Sequence, residues 1–156
     1  MAKAFKITQS HVLAIAAVLA AIAIAGVMLS PKAHATPITV YKSPTCNCCD
    51  LWVRHLESDG FDVTVNNTSD TANIKQELGV PRQLYSCHTA TMGDYVIEGH
   101  VPASDLMTLK ADQLNIEGIG VGGMPMGSPG MDSGPAKEPY NVLAFRGLQT
   151  KIFSAH

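Results

Sequence analysis

The chain has 156 residues, with 11 Lys/Arg against 13 Asp/Glu and a formal charge of −2. That length supports one modest core. The absence of any Lys/Arg cluster excludes a nucleic-acid-binding surface. The first six residues carry Lys3 and Lys6 and no acid, an apolar run follows from Val12 to Leu29, and Ala33-His34-Ala35 closes it. A basic start, an apolar middle and a small-x-small site predict a Sec-type signal peptide over residues 1–35, cleaved after Ala35. The alternative is an uncleaved anchor, since about 18 apolar residues just span a bilayer; the small residues at 33 and 35 favour cleavage. Residues 36–156 then form a periplasmic domain, and the membrane is met only through the signal peptide. This domain keeps all 13 acids but 8 of the 11 bases, a formal charge of −5 that would not repel a cation.

Ile38–Lys42 is β-branched and aromatic and predicts a first strand. Ser43-Pro44-Thr45 ends it, and a helix is expected from about Cys48 to Asp59, stopped by Gly60. Cys49, Trp52, Val53 and Leu56 share one face of it at helical spacing. Phe61, Val63 and Val65 alternate with polar residues as a second strand. Ser69 or Asp70 caps a second helix with Ile74 and Leu78 inward. His88–Met92 and Tyr95–Glu98 make a hairpin around Gly93-Asp94. Ser104 is a candidate cap for a third helix carrying Leu106 and Leu109. Glu117–Pro139, rich in Gly, Pro and Met, reads as a long loop. Tyr140–Phe145 and Gln149–Phe153 close the chain as a strand pair. The order β-α-β-α-β-β-α, with cysteines between the first strand and first helix, predicts an α/β thioredoxin-like fold with a Gly/Pro/Met-rich loop and a C-terminal strand pair.

Chemistry concentrates in three places. Cys46-Asn47-Cys48-Cys49 contains the C-x-x-C spacing of a dithiol site at a helix start, where the dipole and unpaired N–H groups favour a thiolate. Helical periodicity turns Cys49 inward and leaves Cys46 as the exposed partner. Cys48 does not suit a simple oxidoreductase, because it invites wrong disulfides; three thiols in four residues suit soft ions, above all Cu(I). Structural disulfides are the plainer outcome in an oxidising compartment. Cys87-His88 is the second place. If it occupies the loop that faces the C-x-x-C, a thiol and an imidazole join the cluster; if Pro81 occupies that loop instead, Cys87 lies far away. Met124, Met126 and Met131 are the third, either thioether ligands for Cu(I) or apolar cover. Met92 and Met107 are expected in the core. His55 is expected to be exposed, His100 to support the site from a strand end, and His156 to be mobile. Phosphate-loop, nucleophile-elbow and H-E-x-x-H patterns are absent.

Together, Cys46-Asn-Cys-Cys49, Ser86-Cys-His-Thr89, Glu98-Gly-His-Val-Pro102 and Gly123-Met-Pro-Met-Gly-Ser-Pro-Gly-Met131 resemble the CopG family, exported bacterial proteins of copper and silver resistance. The resemblance runs from about Ile38 to Phe153. It implies a thioredoxin-like domain holding a small Cu(I) cluster. Carried over by position, it makes Cys46, Cys48, Cys49 and Cys87 the thiol set, with His88, Met124 and Met126 as supplementary metal ligands. The resulting expectation is a periplasmic Cu(I)-binding protein of copper tolerance, whose partners are copper ions and other periplasmic copper-handling proteins. The alternative is a thiol–disulfide oxidoreductase using Cys46 and Cys49.

Overall fold

The computed structural model describes residues 35–132 and 134–156; the signal peptide call lies outside the described residues. The elements are β1 (Thr36–Lys42), α1 (Asn47–Ser58), β2 (Phe61–Asn67), α2 (Thr71–Glu77), a 3-10 turn (Arg82–Leu84), β3 (His88–Met92), β4 (Tyr95–Glu98), α3 (Ala103–Asp112), β5 (Gly118–Gly120), β6 (Asn141–Arg146) and β7 (Gln149–Ala155). The seven strands form one sheet in the order β2-β1-β3-β4-β5-β6-β7. β1 runs parallel to β2 and antiparallel to β3, and β3 and β4 form the expected hairpin. The α/β order β-α-β-α-β-β-α read from the sequence is therefore the observed one. Among the described residues, no helix is long and apolar enough to cross a membrane.

Strand alternation sorts the core onto two faces. On one face Ile38, Val40, Ala90, Met92, Ile97 and Ile119 pack with Trp52, Val53 and Leu56 of α1 and with Leu106 and Leu109 of α3. The neighbour of Ile97, Val96, turns the other way and packs with Val80, Leu84 and Phe145. The apolar stripe of α1 is the one its spacing predicts: Cys49, Trp52, Val53 and Leu56 are its buried residues.

Several local expectations differ. The segment read as one long loop contains β5, which pairs parallel with β4 and antiparallel with β6. Gly118 and Gly120 hide this strand from any propensity argument. Glycine is nevertheless required at 118, because a Cβ there would lie 2.0 Å from the Val96 carbonyl oxygen and 2.6 Å from the Phe145 ring. α3 begins after Pro102, not at Ser104. Its first free N–H, on Ala103, donates to His55 Nε2 at 3.1 Å, so His55 caps a neighbouring helix and is half-buried. The buried residue of α2 is Lys75; Ile74 and Leu78 are only half-buried. Met92 lies in the core as expected, but Met107 is 45% exposed. His156 is not loose: its backbone pairs with Tyr140, and its Nε2 lies 2.8 Å from Asp105.

Candidate metal centre

The turn that ends β1 is closed by the Cys46 N–H donating to the Ser43 carbonyl at 3.1 Å, which makes Cys46 the residue that opens α1. Its side chain makes no cap hydrogen bond to the first helical turn. Cys49, one turn on, points into the core and is fully buried, while Cys46 and Cys48 are half-buried. Cys46 and Cys49 form a disulfide, with S–S 2.04 Å; Cys48 and Cys87 are free. Beneath the turn, buried Lys42 pairs with Asp50 at 2.8 Å.

Cys87 arrives from the opposite side, on the loop between the 3-10 turn and β3. Its Sγ lies 3.8 Å from Cys48 Sγ, and Cys48 Sγ lies 3.5 Å from Cys46 Sγ. The sulfurs of Cys46, Cys48, Cys49 and Cys87 all fall within 4.8 Å of one another. Of the two arrangements left open for this loop, the structure has the one that joins Cys87 to the cluster. Pro81 instead leads into the 3-10 turn.

Cys87 also belongs to a second group with His88 and His100. His100 Nε2 is 2.9 Å from Cys87 Sγ, and its Nδ1 is 2.8 Å from the Pro129 carbonyl oxygen. A carbonyl only accepts, so Nδ1 carries the proton and Nε2 turns its lone pair toward the thiol. His88 Nδ1 is 3.4 Å from the same sulfur. The His88 ring packs 4.3 Å from that of Trp52 and edge-on to His100 at 4.9 Å. Among the described residues His88 Nε2 is buried without a hydrogen-bond partner, a costly state unless a further ligand takes it up.

Electrostatics here follow burial. Desolvation and the neighbouring Cys48 thiol push Cys87 up to about 12, so the helix-start argument for an acidic thiol does not extend to this cysteine. Desolvation holds His88 well below the ordinary imidazole value, helped by His100 and Lys75, and it lowers His100 as well. Both rings are neutral donors of lone pairs rather than cations.

The Met-rich segment lies over this cluster. Ser86 Oγ donates to the Gly123 carbonyl, and Pro129 receives His100. Gly130 passes so close to α1 that a Cβ would sit 2.7 Å from the Cys48 carbonyl oxygen. Within this segment Met124 is 53% exposed, and Met126 and Met131 are half-buried. His100 was expected only as a supporting residue; the structure puts it in direct contact with a thiol. The signal was available: a hairpin pairing Thr89 with Glu98 brings Gly99-His100 beside His88.

Four clustered cysteine sulfurs, two of them free thiols and two joined in a disulfide, with two buried neutral imidazoles and a strap bearing thioethers, define a soft-metal centre on an α/β domain. The comparisons agree. Residues 84–131 match a family model described as "Protein of unknown function, DUF411". Two solved structures, "Copper resistance protein copG", forms 2 and 1, are each 37% identical to this chain and cover 79% of it. The match spans 99% and 98% of those chains, with TM-scores of 0.75 and 0.74. No curated protein matches. The chain belongs to the CopG family of copper resistance proteins, and its cysteine cluster fits a copper-binding role.

Proposed function

We propose that this protein is a periplasmic, thioredoxin-like Cu(I)-binding protein of copper tolerance, exported by residues 1–35. Its thiols Cys46, Cys48, Cys49 and Cys87 would hold more than one ion, with His88, His100, Met124 and Met126 as supplementary ligands. The observation that carries the reading is the convergence of all four sulfurs within 4.8 Å, three from the start of α1 and one from the separate Cys87 loop. Thiolate and thioether are soft donors that select Cu(I) over harder ions. The Cys46–Cys49 disulfide adds a redox arm. Two thiolates closing to a disulfide release two electrons, enough to convert two Cu(II) to two Cu(I). The oxidised pair then offers no thiolate, so copper is held by the reduced protein and released on oxidation.

The test is anaerobic competition between the reduced protein and a Cu(I) chelator, beside Cys87→Ala. Binding of more than one equivalent, with stoichiometry and affinity both falling in the variant, is expected. Weak or absent binding by reduced wild type would move the reading to a thiol–disulfide oxidoreductase, which the same disulfide favours. That enzyme would turn over a disulfide substrate without metal and tolerate Cys48→Ala.

A further inference from the structure

Behind the Cys87 loop, on the sheet face away from Trp52, three polar side chains are buried together. Glu98 of β4 is fully buried, Thr89 of β3 is 1% exposed and Lys75 of α2 is 4% exposed. Lys75 Nζ donates to Glu98 Oε1 and to Thr89 Oγ1, both at 2.8 Å, and the Thr89 hydroxyl donates to Glu98 Oε2 at 2.6 Å. Thr89 and Glu98 are register partners, so the hairpin itself builds two corners of this triangle.

One bond leaves the triangle. The Ser86 backbone N–H donates to Glu98 Oε1 at 2.6 Å. Ser86 immediately precedes Cys87, and its hydroxyl donates to the Gly123 carbonyl at the start of the Met-rich segment. Lys75 Nζ also lies 6.0 Å from the centre of the Tyr85 ring, the residue before Ser86. A buried ion pair is a poor source of net stability, since a well-packed apolar replacement is commonly as good. What an apolar group lacks is an acceptor for an N–H that a loop would otherwise leave unpaired.

We propose that Glu98, held in place by Lys75 and Thr89, is a positioning residue of the copper site: it grips the Ser86 N–H and so fixes the Cys87 thiol opposite Cys48. This rests on the Cu(I) reading above. Through the Ser86 hydroxyl the same grip extends to the first anchor of the Met-rich segment. Glu98 need not touch copper; it acts on the metal only through Cys87.

The test is a comparison of Cu(I) affinities by chelator competition, made in wild-type and in Cys87→Ala backgrounds. Lys75→Met with Glu98→Leu removes both charges and the acceptor, and its affinity should fall about tenfold or more, as for loss of a group that orients a metal ligand. Lys75→Met with Glu98→Gln removes the charges but keeps an acceptor for Ser86, and should return within about threefold of wild type. In the Cys87→Ala background the two double variants should bind alike, because the grip has no thiol left to position. Equal affinities of the two double variants with Cys87 present, or a difference between them as large with Cys87 absent as with it present, would overturn the proposal. If the Leu variant does not fold, Thr89→Val decides by the same comparison: it should weaken binding only where Cys87 is present. Failure of wild type itself to bind Cu(I) would overturn the parent reading instead, and is seen before any variant is made.

Discussion

Cys87 is the residue on which the two halves of the centre meet: Cys48 on one side, His88 and His100 on the other. Burial keeps it a thiol, so an incoming cation must displace its proton. The same burial sets a pH response in the metal-free protein. Unfolded imidazoles titrate near pH 6.5, whereas His88 and His100 are held lower in the fold by desolvation. Both rings therefore contribute stability that is fully present above about pH 6.5 and lost as the pH falls through their folded values. The charges of the buried Lys75 and Lys42 act on His88 in the same direction. Chemical denaturation of metal-free protein should show a lower midpoint at about pH 5 than at about pH 7.5, and His88→Leu should flatten that slope. An unchanged slope in the variant would assign the acid sensitivity to other groups. The cysteines were legible because their chemistry is written in their identity. Lys75 and Glu98 were not, because charged residues on a short helix and a strand end look like solvated positions until the fold buries them as a pair.

At the scale of elements, legibility follows side chains. α1 and the β3–β4 hairpin carry periodic apolar residues, and their observed bounds lie within one residue of the expected ones. β5 carries one side chain, Ile119, between two glycines; the pairing partners that make it a strand are far away in sequence. Yet, among the described residues, β5 is the only joint in the sheet between the β1–β4 part and the β6–β7 pair. Gly118→Ala would drive a Cβ to 2.0 Å from the Val96 carbonyl, which no flexible side chain can relieve. A loss of about 3 kcal/mol is expected, at the upper end for overpacking. Hydrogen exchange should rise across β5, β6 and β7 well before β1 and β2. Uniform loosening of the whole sheet would show that β5 is not a separable joint.

Over the whole molecule, the chain leaves the centre after α3, adds β5 to the sheet, and returns across the start of α1 before finishing in β6 and β7. The segment after α3 thus covers a site whose cysteines all precede α3 in the chain. The cover is fixed at the Gly123 carbonyl, at the Pro129 carbonyl, and by the Met126 N–H donating to Glu138 at 3.2 Å. Immediately after the Pro129 anchor, Gly130 takes φ +84°, a conformation that favours glycine, and a Cβ there would lie 2.7 Å from the Cys48 carbonyl and 2.9 Å from the Trp52 nitrogen. Gly130→Ala should therefore lift the segment off α1 while leaving the sheet intact. Pro129 would move with it, freeing His100 Nδ1 and with it the tautomer that aims Nε2 at Cys87. Cu(I) affinity is expected to fall about tenfold, the scale of losing a partner that orients a ligand. Alkylation of Cys48 and Cys87 in the metal-free protein should accelerate, because the cover that half-buries them is displaced. Faster alkylation with unchanged copper affinity would make the segment a lid without influence on the ligands. No change in either would mean that the close approach at Gly130 is packing alone, and that the methionines act independently of where the segment rests.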